Sequence, residues 1–399
     1  MGRKHKCGSG SSTGIDHRAE RGNSTTNTAR LGVKLAYTYD LAGRLDTASL
    51  PGFSATYSYL ANSPLVEQIQ FRQGATVHMT TSKQYDRLNR LISVGSTPAS
   101  GVGSGASPLS SFNYLYNAAN QRTHASVEGT SATSPTLWHY QYDHLGQVTS
   151  GKRFWSDWTP VAGQQFEYDF DAIGNRTGTQ AGGDANGAGL RSASYSANTL
   201  NQITSRTVPG YVDILGAATA TATNVNVNNQ MAYRRGEYYR VELGISNQSA
   251  AVWQSVTNRA VQNGTTNSVT GNVFLPKTPE AYTYDVDGNL TSDGRWTNRW
   301  DGENRLIEMT SHASGPSASR QALHFGYDWQ GRRVSKVVSN WTGSAWVRVL
   351  HEKYVYDGWN LLAVLDGTNN ALLKSFLWGT DLSGTLQGAG GVGGLLAIG

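Results

Sequence analysis

Aromatic and apolar residues recur at alternate positions in short runs, and each run stops at a cluster of Asp, Gly or Asn before the next begins. A period of two marks a strand buried on one face, and the Gly/Asn clusters mark turns. One phrase recurs: an aromatic, any residue, Tyr, Asp, two or three residues, Gly or Asn, a polar residue, then an apolar one. Its clearest copies are Tyr37-Thr-Tyr39-Asp40-Leu-Ala-Gly43-Arg44-Leu45, Tyr140-Gln-Tyr142-Asp143-His-Leu-Gly146-Gln147-Val148 and Tyr282-Thr-Tyr284-Asp285-Val-Asp287-Gly288-Asn289-Leu290. Further copies begin at Phe166, with Tyr168, Asp169, Gly174 and Asn175, and at Phe325, with Tyr327, Asp328, Gly331 and Arg332. Partial copies are Tyr85-Asp86 with Asn89, Tyr114 and Tyr116 with Asn117 and Asn120, Tyr195 with Asn201, Trp300-Asp301 with Asn304, and Tyr354 with Tyr356-Asp357-Gly358. Most of these ten copies lie about 26 to 31 residues apart, so the chain reads as a repeat array.

One copy can be read physically. Residues i and i+2 of a strand share a face, so Tyr37 and Tyr39 project together, while Asp40 at the strand's end is placed to accept backbone N–H groups of the turn. Gly or Asn about three residues later supplies the positive φ of a tight hairpin, and the next apolar residue opens the returning strand. A lone hairpin is marginal in water, so successive hairpins are expected to pair edge to edge with stacked aromatic ladders. Twist would curl such a ribbon. The predicted fold is all-β, a spiralled array of hairpins forming part of a shell or barrel.

The rhythm breaks once. Tyr195 and Tyr282 lie 87 residues apart, and the span between them reads as short strands at Ala217–Val227, Tyr238–Leu243, Val252–Val256 and Ser268–Leu275. The expected organisation is a disordered polar segment at 1–34, array at 35–207, an inserted β-sandwich-like module at 208–280, and array again at 281–399. Ser96 to Ser111 reads as a surface loop.

Composition agrees with this picture and narrows the function. Twenty Tyr among 10% aromatics, 46 Gly and only 15% charged residues suit pleated sheets joined by tight turns. A net charge of +5 over 399 residues is a weak field without a clustered basic face, which argues against nucleic acid. The single Cys7 excludes an internal disulfide and a cysteine zinc site, and no apolar run is long enough to span a membrane. The first thirty residues lack the apolar core of a signal peptide, so export would need a signal upstream or another route.

The phrase Tyr-x-Tyr-Asp-x-x-Gly-Arg-Leu resembles the YD repeat of the RHS (rearrangement hotspot) family, over roughly Tyr37 to Gly399 outside the insert. The tail from Leu377 to Gly391 resembles the segment leading into the RHS-associated core of large bacterial members. The resemblance implies a hollow β-cocoon around a variable C-terminal toxin, as in type VI effectors, contact-dependent toxins and the Tc toxin C component; eukaryotic teneurins use a similar barrel in adhesion. It also implies an aspartate-dependent autoprotease core ending in Asp-Pro-x-Gly. That signature is not found in this sequence, so no catalytic residue is carried over, and the chain reads as a fragment preceding core and toxin.

Several strings imitate other chemistry. Gly388-x-Gly390-x-x-Gly393 has the letters of a dinucleotide fingerprint but only six residues follow it, so it reads as a connector. Asp285-x-Asp287 and Asp169-x-Asp171 resemble the start of a calcium loop without its later Gly and Glu, and read as turn caps. Nine scattered His and no Gly-x-Ser-x-Gly give no hydrolase signature. Trp296, Trp300, Trp341 and Trp346 either pack between hairpins or stack on a sugar or partner. The expectation is therefore a secreted or cell-surface structural shell, without enzymatic activity, cofactor or metal. Its expected partners are a toxin cargo and a secretion apparatus; the alternative is an adhesin or glycan-binding array that recognises ligands through its insert.

Overall fold

The computed structural model describes residues 16–19, 24–28, 34–99, 109–129 and 135–399. Among them there is no α-helix and one 3-10 turn, Ser317–Ser319; nearly everything else is antiparallel strand or tight turn. Strands pair in strict chain order. Asp16–Ala19 pairs with Ser24–Thr28, which pairs with Lys34–Tyr39, then Leu45–Leu50, Phe53–Tyr59 and Val66–Gln73, and so on through Leu190–Ala197 to Ile203–Arg206. Such a meander is what hairpins joined edge to edge produce.

The span expected to be a disordered tail thus contains two strands, Asp16–Ala19 and Ser24–Thr28. The open edge of Lys34–Tyr39 offers a ladder, and the β-branched run Ser24-Thr-Thr-Asn-Thr28 suits it. The rest of that span lies outside the described residues, as does most of the expected loop at 96–111, of which the two ends extend strands Leu91–Pro98 and Ser110–Tyr116.

One short stretch carries the ladder past the insert: Glu280–Ala281 closes the first, 17-stranded sheet and Thr283–Tyr284 opens a second, ten-stranded one. Arg206 pairs with Glu280 and Ser205 with Ala281, and the Tyr282 N–H donates to the Thr204 carbonyl at 2.9 Å. Ten further strands follow from Thr283–Tyr284 to Leu395–Ile398, again in chain order. Between the paired strands, the insert folds as a three-stranded sheet (Tyr211–Ala217, Tyr238–Gly244, Tyr233–Arg235) and a four-stranded sheet (Gln230–Met231, Asn224–Val227, Val252–Gln262, Thr265–Leu275). Alternate residues Tyr239, Val241 and Leu243 turn inward onto Val225, Val227 and Val256, closing a core between the two sheets. The single strand expected over Ala217–Val227 is broken: the chain turns at Thr219–Ala222. The Arg234 guanidinium collects the Thr219 and Ala222 carbonyls at 3.0 and 2.5 Å, satisfying the backbone that a strand would have paired.

A register shift recurs beside the second aromatic of most phrases, at Tyr39, Tyr85, Tyr142, Phe170, Tyr284, Trp300, Tyr327 and Tyr356, and again at Tyr59 of a further pair, Tyr57-Ser-Tyr59. Each bulge raises local twist, and one per hairpin accumulates into curvature. The curvature brings the ends of the array together. Leu35, Tyr37, Leu45, Ala48, Ala55, Tyr57 and Ile69 share one buried core with Leu362 and Leu377, and Trp378, Leu386 and Leu396 pack on it. The join is made by side chains; among the described residues no ladder closes the sheet into a barrel.

Candidate functional site

The repeated feature with the most chemistry is the turn that ends each phrase. Asp40 Oδ1 accepts the N–H groups of Ala42 and Arg44 at 2.9 and 2.8 Å, while Gly43 N–H returns to the Asp40 carbonyl at 2.9 Å. The same pair of bonds forms at Asp86, Asp143, Asp171, Asp285, Asp301 and Asp328, and at Asn117 and Asn198. Three residues on, the backbone is left-handed: Gly43, Gly146, Gly174, Gly288 and Gly331 have φ of 76 to 91°, and Asn89, Asn120, Asn201 and Asn304 lie near 60°. Only Gly, or Asn at small cost, accepts that conformation.

Side chains then tie each turn to the next. Arg44 Nε donates to Asp40 Oδ2 at 2.8 Å, Nη1 reaches the Ser63 carbonyl at 2.7 Å, and the guanidinium lies 4.3 Å above the Tyr59 ring. Arg90, Arg305 and Arg332 repeat the pattern onto Asn117, Asp328 and Gly358, and Asn175 and Asn289 replace it with bonds to Asn201 and Asn304. The last aromatic before a turn bonds backwards. The hydroxyls of Tyr59, Tyr85, Tyr116, Tyr142, Tyr284, Tyr327 and Tyr356 donate to Leu45, Val66, Leu91, Arg122, Ile203, Leu306 and Arg333 carbonyls, and Trp300 and Trp378 do so through their indole N–H. Each acceptor opens the returning strand of the preceding hairpin, where a bulge has freed a carbonyl. Removing one such hydroxyl while keeping the ring, as in Tyr327→Phe, is expected to cost about 1 kcal/mol in urea unfolding with m unchanged.

The turn carboxylates titrate accordingly. Asp40 and Asp86 sit below the ordinary 3.8, first because the N–H groups of Arg44 and Arg90 hold the charged form. At Asp301 and Asp328, desolvation pushes upward but the bonds from Arg305 and Arg332 outweigh it. A carboxyl with a lowered folded pKa contributes stability above its unfolded value, which is lost as pH falls through the folded one. Melting temperature should therefore hold between about pH 7 and 5 and drop below about pH 4. A melting temperature that rose on acidification would remove these turns from the stability of the array.

Two sequence assignments need correction. Asp169 is a strand residue paired with Gly178; the turn after Tyr168 is capped by Asp171, two positions later, with Phe170 as the second aromatic. Asp357 pairs with Asn360 across a two-residue turn at Gly358-Trp359, so that copy lacks the longer loop. Conversely, two further Asp-capped turns were not legible as copies, one at Asp184 with both bonds and one at Asp381 with only the first, its Thr385 N–H going to Ser383 Oγ. Asp184 caps Asn186 and Ala188, and Asp381 caps Ser383, but neither follows a Tyr. The second oxygen of Asp381 also takes N–H groups of Ala389 and Gly391 at 2.6 and 3.3 Å, so amides of the Gly-rich string serve an internal carboxylate. The crowns of the turns expose apolar residues, among them Leu41, Leu88, Leu145, Ile173, Leu200, Val286 and Trp329.

Of the tryptophans considered for recognition, Trp300 is bonded to Leu290, Trp296 lies 4.8 Å from the Arg295 guanidinium, and Trp341 meets Trp346 at 5.2 Å beside a hairpin turn. No group of three or more His, Cys, Asp or Glu is placed to hold a metal among the described residues, and no helix there is long and apolar enough to cross a membrane.

The root of the insert is the other candidate. Arg240 bridges Asp213 at 2.5 Å and Glu242 at 2.9 Å, Arg191 pairs with Glu242, and Arg206 pairs with the buried Glu280 at 2.6 Å. Burial raises the Asp213 carboxyl, whereas the hydrogen bond from Arg191 leads in lowering Glu242. Beside this network a cleft of about 480 Å3 runs between sheet and insert, lined by Phe166, Tyr168, Tyr195 and Tyr211.

No protein-family model matches the chain. A stretch of 100 residues is 32% identical to the tRNA nuclease WapA of Bacillus subtilis (strain 168) and to the tRNA(Glu)-specific nuclease WapA of B. subtilis subsp. natto. A stretch of 101 residues is 31% identical to the tRNA3(Ser)-specific nuclease WapA of Bacillus spizizenii. Each match covers 25% of this chain and 4% of the relative, so the chain spans a small part of the curated proteins it matches. Among solved structures, TcdB2-TccC3-TEV aligns over 88% of this chain and 21% of its own at 10% identity and a TM-score of 0.25. A porin-like protein from Bacteroides uniformis aligns over 84% and 92% at 9% identity and a TM-score of 0.19. Both structural likenesses are too distant to carry an argument. A quarter of this all-β hairpin array is thus similar in sequence to a short stretch of bacterial tRNA nucleases.

Proposed function

We propose that this chain is a non-catalytic wall segment of an RHS-type protein, which encloses a toxin and helps deliver it outside the producing cell. The observation that carries the reading is the curved, turn-to-turn stapled ladder in which the strands between Lys34 and Gln73 share a core with the last strands. Such a wall has the continuity and curvature that enclosure requires, and its bonds are spent between neighbours. The partial similarity to nucleases whose names specify tRNA as substrate supports a toxin association, with the destructive chemistry residing elsewhere in the polypeptide.

The reading frame beyond Gly399 tests this at the level of the gene. It is expected to encode a core segment and then a short cargo; a wall anchor or an immediate stop would favour the adhesin reading. In the full-length protein, the cargo should survive protease while the wall is intact and be digested once several turns are broken. Equal digestion in both states would refute enclosure. The aromatic cleft at the insert's root favours a second reading, recognition of a surface glycan, which would fail if the full chain bound nothing on a glycan array.

A further inference from the structure

On the other side of the insert, its Ser249–Ala251 loop, Phe274 and Lys277 face Gly294, Arg295, His312 and Ser314 of the array across a cavity of about 290 Å3. Elsewhere at this junction four arginines are matched by acid, Arg191 with Glu242, Arg206 with Glu280, Arg235 with Asp157 and Arg240 with Asp213, while Arg153 is held by Thr136 and Gln164 oxygens instead. Here the pattern fails. Two cations line the cavity and no carboxylate does, and among the described residues neither Arg295 nor Lys277 makes an ion pair.

Arg295 is held in place. Its guanidinium lies 4.8 Å from the centres of both Phe274 and Trp296 and 5.9 Å from that of Trp253, one N–H reaches the Ser319 carbonyl at 3.3 Å, and its buried Nε has no partner. Asp293 acts on it through space, but Asp293 Oδ1 is engaged by the N–H groups of Arg295 and Trp296 at 2.7 Å. Aromatic walls exclude water from one side of the cation, which strengthens any charge brought to the other. A half-buried guanidinium without a carboxylate in contact is costly, and an anion from solution would offset that cost.

We propose that this cavity binds a small ligand bearing an oxyanion, a carboxylate or a phosphate, with Arg295 and Lys277 as its cationic contacts and Ser249 and Ser314 as hydroxyl contacts. The volume suits one acidic group with at most a single ring attached, at the lower end of small-molecule pockets.

Titration calorimetry on the whole chain tests it, with inorganic phosphate and glucuronate as separate probes and glucose as the uncharged control. One-site binding of at least one anion is expected, weakening with added NaCl. Lys277→Ala, at an exposed position, should weaken it about fivefold or more, and Lys374→Ala, on a distant strand, should leave it unchanged. Arg295→Lys keeps the charge but loses the planar fork and should weaken it further; unchanged far-ultraviolet circular dichroism would show that the variant is folded. Phosphate binding alone assigns a phosphate site, glucuronate alone a uronate site. Binding of neither, or binding indifferent to Lys277→Ala, overturns the proposal.

Discussion

Leu377→Ala is expected to destabilise the chain by about 2–5 kcal/mol and to loosen together the segments around Leu35 and around Leu377, from opposite ends of the array. Leu377 is 2% exposed and lies in the core that the last strands share with the first hairpins. Truncation removes transfer free energy and leaves a cavity, and neither wall relaxes easily. Tyr57 is buried against Gly379, which has no side chain to obstruct it, and the strand Leu372–Trp378 packs on Leu45–Leu50. Hydrogen exchange should therefore accelerate over residues 35–71 and 362–397 together, while the insert's separate core keeps its protection. Acceleration confined to the C-terminal strands would mean that the two ends of the array do not stabilise each other.

Glu280→Ala should cost on the order of 3 kcal/mol. Its side chain is 6% exposed and accepts from Arg206 Nε at 2.6 Å, the Tyr282 hydroxyl at 2.8 Å and the Gly294 N–H at 3.1 Å. Truncation leaves three donors short of an acceptor where the ladder crosses the base of the insert. Most of that cost is orphaned polarity, so the double variant Arg206→Met with Glu280→Met should recover much of it. A double variant as unstable as the sum of the single ones would place the cost in lost packing instead.

Hairpins were legible because their determinants are local. Alternation around Tyr37 and Tyr39, the Asp40 cap and the positive φ at Gly43 all fall within nine residues, and short-range sterics and hydrogen bonding decide them. Asp169 was misassigned because the letters Tyr-Asp occur there immediately before the bulge, past which Asp171, two positions later, meets the turn. Asp184 and Asp381 escaped because the turn needs only a capping Asp or Asn and a left-handed Gly or Asn, while the aromatic that makes a copy recognisable serves the neighbouring hairpin.

The backward tyrosine bonds had a signal in the preference for Tyr or Trp over Phe at the second aromatic position, but their acceptors lie 10 to 81 residues away. The sequence by itself determined that the chain is all-β, built of capped hairpins in chain order, and where the rhythm breaks. Only the tertiary structure decided that the ladder continues from Arg206 to Glu280 across the insert, that the ends meet through Leu35 and Leu377, and that Arg295 is packed among aromatic rings with no carboxylate in contact. The reason is physical: a turn is governed by neighbours in sequence, whereas curvature is the sum of many small bulge-induced twists, and what finally touches what depends on that sum.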